Sequence, residues 1–258
     1  MIQVEGLEKT YLTRTGERVK ALSDVNFEIY DSEFVSVVGP SGCGKSTLLR
    51  ILLGILPKSK GTVLLDGSPI EGPSNNIGVV FQEPVLFPWL NVFQNACLPI
   101  RVKKLDRALY EERSRALLAM VGLRDFSNKY PFELSGGMQQ RVSIARALVP
   151  DPPVLLMDEP FGALDALTRE YMNLELIRIW EESRKTILFI THSISEAVLL
   201  SDRVFILSPR PGSIREIVKV DLPRRRSLET ISTSEFGQIA KFIRGFLGQG
   251  DGEGTAVL

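Results

Sequence analysis

The chain is sparing with the residues that staple or decorate a protein. Its 258 residues include two cysteines, one histidine and two tryptophans. Cys43 and Cys97 are too few for a disulfide framework, so a reducing compartment is expected and stability must come from a buried core. Neither sign of charge is in excess: 31 Lys+Arg balance 31 Asp+Glu, which argues against a broad electrostatic surface for nucleic acid. No uninterrupted apolar run approaches the roughly 18–20 residues that span a bilayer. The first residues, Met1-Ile2-Gln3-Val4-Glu5, lack the basic start and apolar core of a secretion signal. Repeats, heptads and low-complexity domains are missing as well. What remains is an ordinary globular composition, 44% apolar. The length suits one substantial core with a smaller subdomain and excludes two full catalytic domains. The expectation is a soluble protein whose membrane role, if it has one, comes through a partner.

Apolar periodicity outlines the organisation. Val25, Phe27 and Ile29 alternate with polar neighbours as a half-buried strand does. With Ile2–Leu7 and Gly61–Leu65 they predict an antiparallel sheet near the N-terminus, the last run ending in the turn dipeptide Asp66-Gly67. Phe34–Val38, Ile77–Phe81, Val154–Met157, Thr186–Ile190 and Val204–Leu207 are short, mostly apolar runs. These read as strands buried on both faces of a parallel sheet. Asp106–Val121 is helical by pattern, with Leu109, Leu117, Leu118 and Val121 expected on one face. Together with a helix over Met138–Leu148 it predicts an inserted helical subdomain at about 83–150. A strand at Glu216–Val220 and an amphipathic helix at Phe236–Leu247 follow. The expected organisation is therefore a single α/β domain over 1–247 and a glycine-rich tail over 248–258.

Three of the apolar runs end in residues with chemistry, as expected where ligands sit at strand C-termini. Gly39-Pro40-Ser41-Gly42-Cys43-Gly44-Lys45-Ser46, with Thr47 next, matches the phosphate-binding P-loop in full. It follows the strand Phe34–Val38 and precedes a helix expected to carry Leu48, Leu52 and Ile55 on its apolar face. Its glycines let backbone N–H groups wrap phosphates, and the helix N-terminus adds partial positive charge. Lys45 is expected to reach the β- and γ-phosphates and the Ser46 hydroxyl to ligate Mg²⁺. A glycine-rich turn that binds nothing would not need this strand–loop–helix context. Val154-Leu155-Leu156-Met157 ends in Asp158 and Glu159. Such a pair can hold the Mg²⁺ shell (Asp158) and orient or deprotonate a water (Glu159). Alone it could equally be a solvated strand end, and the P-loop tips the balance. Gln82 ends one apolar run, and the lone His192 follows another.

Leu134-Ser135-Gly136-Gly137-Met138-Gln139-Gln140-Arg141 supplies the remaining motif. A capped helix explains Ser135 but not two adjacent glycines. This octapeptide resembles the signature of the ATP-binding cassette (ABC) family. The resemblance runs from about residue 2 to 247 in the order P-loop, Gln82, signature, acid pair, Asp165, His192. It implies a P-loop NTPase (RecA-like) core, ATP and Mg²⁺ as cofactors, and ATP hydrolysis. Gln82 would be the loop glutamine that meets Mg²⁺ and water, and His192 the switch histidine that contacts the γ-phosphate and helps hold water and Glu159 in line. Phe161-Gly162-Ala163-Leu164-Asp165 would be the loop along a dimer seam, with Gly162 where many relatives have serine. Tyr11 would stack on adenine. Leu134, Ser135, Gly136, Gly137, Met138 and Gln139 would act in trans on ATP held by a second ATP-binding subunit, a homodimer being the simplest arrangement.

"EPVLFPWLNVFQNACLPI", "DEPFGALDALTRE" and "DLPRRR" are similar to the nitrate/sulfonate/taurine/bicarbonate-type importer ATPases. That implies membrane permease subunits, an extracytoplasmic solute-binding protein, a peripheral place on the cytoplasmic side of the inner membrane, and no nucleic acid. The apolar, proline-studded segment Glu83–Leu90, with the helical subdomain, would grip a helix of the membrane subunit or, alternatively, its side chains would pack inside that subdomain. Lys103-Lys104 and Arg224-Arg225-Arg226 read as solvated surface. An exporter ATPase or a soluble non-transport ABC protein is the other reading the motifs allow.

Overall fold

In a computed structural model, which describes residues 1–223 and 226–248, the N-terminal alternating runs pair as their pattern requires. The strands are β1 (Ile2–Leu12), β2 (Arg18–Ile29), β3 (Phe34–Val38), β4 (Lys60–Leu65), β5 (Ser68–Pro69), β6 (Ile77–Val80), β7 (Val154–Asp158), β8 (Thr186–Ile190), β9 (Arg203–Leu207) and β10 (Ile214–Lys219). The helices are α1 (Lys45–Leu52), α2 (Val92–Ala96), α3 (Leu98–Lys103), α4 (Arg107–Met120), α5 (Gly136–Leu148), α6 (Ala166–Ser183), α7 (Ile194–Leu200) and α8 (Ser234–Gly248). The chain is α/β, with one mixed, mostly parallel sheet and one antiparallel sheet. It divides into two compact units: Met1–Ser74 with the described residues from Leu188 onward, and Asn75–Ile187.

In the first unit the antiparallel sheet runs β2-β1-β4-β5. Ile2 pairs with Ile29 on one side and Leu65 on the other, so Ile2, Val4, Val25, Phe27 and Val63 turn the same way into the core. Asp66 and Gly67 have φ of 51° and 75°, the doubly left-handed pattern of a two-residue hairpin. β3 is buried along its whole length, parallel to β9, with β10 antiparallel on the far side of β9. Phe34 packs against Phe189 and Phe27 against Phe205, at 6.0 and 5.2 Å between ring centroids. Each such side chain contributes roughly 1.5–3 kcal/mol by leaving water.

α1 buries Leu48, Leu49 and Leu52 but ends there, so Ile55 is not on its face and is 51% exposed. The stop is Gly54, left-handed at φ 72°, where a Cβ would fall 2.2 Å from the Gly72 carbonyl oxygen. Arg226 also departs from expectation. It is buried, with Nη1 donating to the carbonyls of Val198, Leu199 and Ser201 at 3.3, 3.0 and 2.7 Å. Its cation thus closes the C-terminal end of α7, where carbonyls lack helical partners and the helix dipole is negative. Arg224, Arg225 and the tail from 249 lie outside the described residues.

In the second unit β6 and β7 run parallel, Ile77 opposite Val154 and Val80 opposite Met157. Asn91 and Gln94 cap each other's backbone at the start of α2, both hydrogen bonds being within 3.0 Å. α4 follows the cap Asp106, which accepts from the Leu109 N–H at 2.9 Å. Leu118 is fully buried while Leu109 is 62% exposed, so the two do not share a face. Nine positions at about 100° each amount to two and a half turns, which puts them on opposite sides. No helix among the described residues is long and apolar enough to cross a membrane.

Candidate functional site

The candidate residues fall into two groups, one in each unit. In the first unit β3 runs straight into the loop 39–44, and α1 starts at Lys45. Gly44, the residue before the helix, has φ 110°, and a Cβ there would come within 2.7 Å of Leu22 Cδ2. Only glycine accepts that conformation in that space. Pro40, Ser41 and Gly42 are exposed, whereas Lys45 is buried. Its ammonium donates to the carbonyls of Gly39 and Pro40 at 2.8 and 2.9 Å and lies 3.8 Å from Cys43 Sγ. Among the described residues it has no carboxylate partner, and the first turn of α1 carries no acidic side chain. A buried cation held by two carbonyls and a thiol, with no carboxylate among the described residues, is at a helix N-terminus an electrostatic demand for an anion.

Ser46 and Thr47 are half-buried in the first turn of α1. Tyr11, on β1, places its hydroxyl 3.3 Å from Thr47 Oγ1, and Lys9 Nζ sits 5.1 Å from its ring centroid. Tyr11 therefore borders the loop, with local packing that already engages its ring. His192 follows β8 and is exposed. Its neighbour Thr191 donates its N–H to Val37 O at 3.2 Å, which ties this segment to the strand leading into the loop.

In the second unit Asp158 closes β7 as a buried carboxylate and Glu159 follows, half-buried. Glu159 has φ 45°, a left-handed conformation that costs a non-glycine residue roughly 1–2 kcal/mol and clusters at functional positions. Gln82, just past β6, donates Nε2 to Glu159 Oε2 at 3.3 Å. β6 and β7 being parallel neighbours, their C-terminal ends bring these residues together. Ser135 caps α5, accepting from the Met138 N–H at 3.2 Å. Leu134 is buried beneath the signature, Ser135 and Gly136 are exposed, and Gly137, Met138 and Gln139 are intermediate. A Cβ on Gly137 would meet the Ala163 carbonyl oxygen at 3.1 Å, so this glycine lets the signature lie against the 161–165 loop. Asp165 caps α6 through the Thr168 N–H at 3.0 Å, and that backbone hydrogen bond holds its carboxyl below the usual range. At Gly162 a Cβ would reach nothing nearer than 3.5 Å, so the replacement of serine there follows from no packing need.

Three residues make buried contacts that the motifs do not foresee. Gln140, fully buried in α5, donates Nε2 to Phe81 O at 2.9 Å, next to Gln82. Asn95, fully buried in α2, takes the Phe87 N–H on Oδ1 and gives Nδ2 to the carbonyls of Phe87, Leu90 and Asn91. It organises the segment that presents Val85 and Trp89, 59% and 69% exposed, with Trp89 5.1 Å from Phe87. The alternative in which these side chains pack inside the helical subdomain is thereby corrected. Glu196, buried in α7, is the third. The Asn91/Gln94 capping pattern was the one sequence signal that could have flagged Asn95.

Among the described residues no three His, Cys, Asp or Glu side chains group to hold an ion. In the second unit the Asp158 carboxylate and the Gln82 amide oxygen are hard oxygen donors, and in the first unit the Ser46 hydroxyl is another, each of the donor type that Mg²⁺ prefers.

The ABC transporter family pattern matches residues 22–162 of this chain. The taurine import ATP-binding protein TauB of Rhizobium johnstonii is 44% identical over 254 residues, 96% of each chain. The aliphatic sulfonates import ATP-binding protein SsuB of Bacillus cereus is 42% identical over 248 residues, 95% of this chain and 97% of the relative. Among solved structures, the dimeric post-hydrolysis state of the ATP-binding cassette MJ0796, bound to ADP and Pi, superposes with a TM-score of 0.78. It is 34% identical, covering 86% of this chain and all of that one.

Proposed function

The chain belongs to the ABC transporter family, and we propose that it energises the import of a small sulfonate-type anion. It is an ABC-type ATPase with the P-loop NTPase fold. The observation that carries the nucleotide assignment is Lys45, a buried ammonium held by two carbonyls at the mouth of the loop. The solute assignment draws on full-length similarity to two import proteins whose named solutes share the sulfonate group. Nitrate and bicarbonate, the other anions the sequence suggested, have no such support.

Within this reading, Gly39 to Thr47 bind the phosphates and Tyr11 packs on the adenine. Lys45 neutralises charge on the β- and γ-phosphates. Ser46, Asp158 and Gln82 would hold Mg²⁺, which supplies charge neutralisation on phosphate oxygens when bound. Glu159 takes or orients the proton of the attacking water, and its hydrogen bond from Gln82 restricts the carboxylate to few orientations. His192 contacts the γ-phosphate and helps keep the water in line. Little covalent chemistry is asked of the side chains, since positioning and charge stabilisation account for most phosphoryl-transfer catalysis. Leu134 to Gln139 and Asp165 serve a second cassette, and the exposed Val85–Trp89 segment receives a helix from a membrane permease. The chain acts at the cytoplasmic face of that permease, supplied by an extracytoplasmic binding protein.

A deletion tests this directly. Cells lacking this chain should fail to grow with taurine or an alkanesulfonate as sole sulfur source. Wild type should restore growth and Glu159→Gln should not. Unimpaired growth on both sulfonates would refute the solute assignment. ATPase activity of the permease complex that ignores sulfonate-loaded binding protein would refute import itself.

A further inference from the structure

The backbone on both sides of His192 is fixed by a buried hydrogen-bond relay that no motif accounts for. Thr191 donates its hydroxyl to Glu196 Oε2 at 2.5 Å, inside the protein. The same Thr191 oxygen accepts the Ser193 N–H at 3.0 Å. Ser193 Oγ in turn caps α7 by accepting the Glu196 N–H at 3.2 Å. The Thr191 N–H is committed to Val37 O at 3.2 Å, two residues before the P-loop begins. Thr191 and Glu196 are buried, whereas His192 between these anchors is exposed. Further along, α7 is held at its other end by the Arg226 guanidinium and by Ser201 Oγ, which donates to Ser36 Oγ at 2.5 Å. Ser36 belongs to β3 as well, so both ends of this helix are referenced to the strand that delivers the P-loop.

A buried carboxylate is costly unless its hydrogen bonds return the solvation it has lost. An ordinary cap needs only Ser193 Oγ, which accepts from the Glu196 backbone N–H. The Glu196 carboxylate orients the Thr191 hydroxyl, leaving the lone pair that the Ser193 N–H requires. We infer that Glu196, acting through Thr191, is a positioning residue that sets the location of His192 relative to the P-loop. This rests on the proposed role of His192 in hydrolysis. Phosphoryl transfer punishes small displacements of an aligning group far more than it punishes loss of binding contacts, so the relay should govern turnover rather than ATP affinity.

The test uses the purified chain with Mg-ATP, comparing Thr191→Val, Thr191→Ser and Glu196→Leu in wild-type and His192→Ala backgrounds. Thr191→Val keeps the shape but not the hydroxyl, which guards against failure of Glu196→Leu to fold. Expected is a fall in kcat of about tenfold for Thr191→Val and Glu196→Leu. KM and binding of a fluorescent ATP analogue should stay within about twofold, and Thr191→Ser should recover wild-type turnover. In the His192→Ala background Thr191→Val should cost nothing more, because the group it positions is already gone. Losses that multiply in the double variant, or a Thr191→Ser as slow as Thr191→Val, would overturn the relay. So would wild-type turnover in Thr191→Val while His192→Ala is slow, which leaves the role of His192 standing. Wild-type turnover in His192→Ala overturns that role, and with it the inference.

Discussion

At Cys43 two influences pull one thiol in opposite directions. Burial, with 1% of the residue exposed, pushes its pKa up. The Lys45 ammonium 3.8 Å away draws it down, and burial prevails. The thiolate, which is the reactive form, is therefore scarce near neutral pH. Iodoacetamide should label Cys43 at least about tenfold more slowly than a free peptide thiol at pH 8. Once formed, the adduct should abolish ATP binding, because a single added carbon on Gly39 would already lie 2.9 Å from this sulfur. Mass spectrometry to place the label, followed by nucleotide titration, checks both steps. Rapid labelling, or full ATP affinity after complete labelling, contradicts them. The position inside the P-loop was plain from the sequence, but the protection of the sulfur depends on Gly39 and Lys45 folding over it. Arg226 makes the same point, since nothing in Asp221-Leu222-Pro223-Arg224-Arg225-Arg226 distinguishes the residue that closes a helix from a solvated cation.

Strands and helices were far more legible than side-chain partnerships. Runs such as Phe34–Val38 and Thr186–Ile190 are short and mostly apolar, and each forms a strand buried along its whole length, as in a parallel sheet covered on both faces. Leu109 misled because its apolar identity suggested burial, whereas the nine-residue spacing from Leu118 sets it on the opposite side of α4, where it is exposed. The link from α5 through β7 to β8 was not legible at all. Arg113 on α4 and Lys185 before β8 both bind Asp151 Oδ1, at 2.8 and 2.6 Å, and the Lys185 side chain is 5% exposed. Burial pushes the Asp151 carboxyl up, but the Lys185 hydrogen bond and the two cations outweigh it, and the net shift is downward. A lowered folded-state pKa gives stability that is present above the unfolded carboxylate value and is lost as pH falls through the folded one. Asp151→Asn should cost about 1–3 kcal/mol in urea unfolding at pH 7, since it leaves a buried ammonium with a weakened partner. The gap from wild type should narrow as the pH falls below the unfolded carboxylate value and Asp151 takes up its proton. A pH-independent gap, or none at pH 7, would show that this network does not hold the link.

For the whole molecule the decisive residue is Gly136. It opens α5, its φ is not left-handed, and a Cβ there would meet nothing within 4 Å. The fold therefore has no internal reason for glycine at this exposed position. Gly137 beside it does, against the Ala163 carbonyl. A glycine in a helix is paid for in unfolded-chain entropy, so Gly136→Ala should stabilise the isolated chain by about 0.4–1 kcal/mol. The proposed dimer predicts the opposite effect on assembly, because an added methyl would stand where phosphate of a second cassette must approach the exposed amides. With Glu159→Gln blocking turnover, saturating Mg-ATP should convert the chain to a stable dimer by mass action. Adding Gly136→Ala or Ser135→Ala should weaken that dimer at least about tenfold, with ATP capture by the monomer nearly unchanged. Sedimentation with and without Mg-ATP, alongside thermal unfolding without nucleotide, separates the two effects. A Gly136→Ala variant that is more stable and dimerises as tightly as its parent would mean that the open surface at the start of α5 is not the face a second cassette uses.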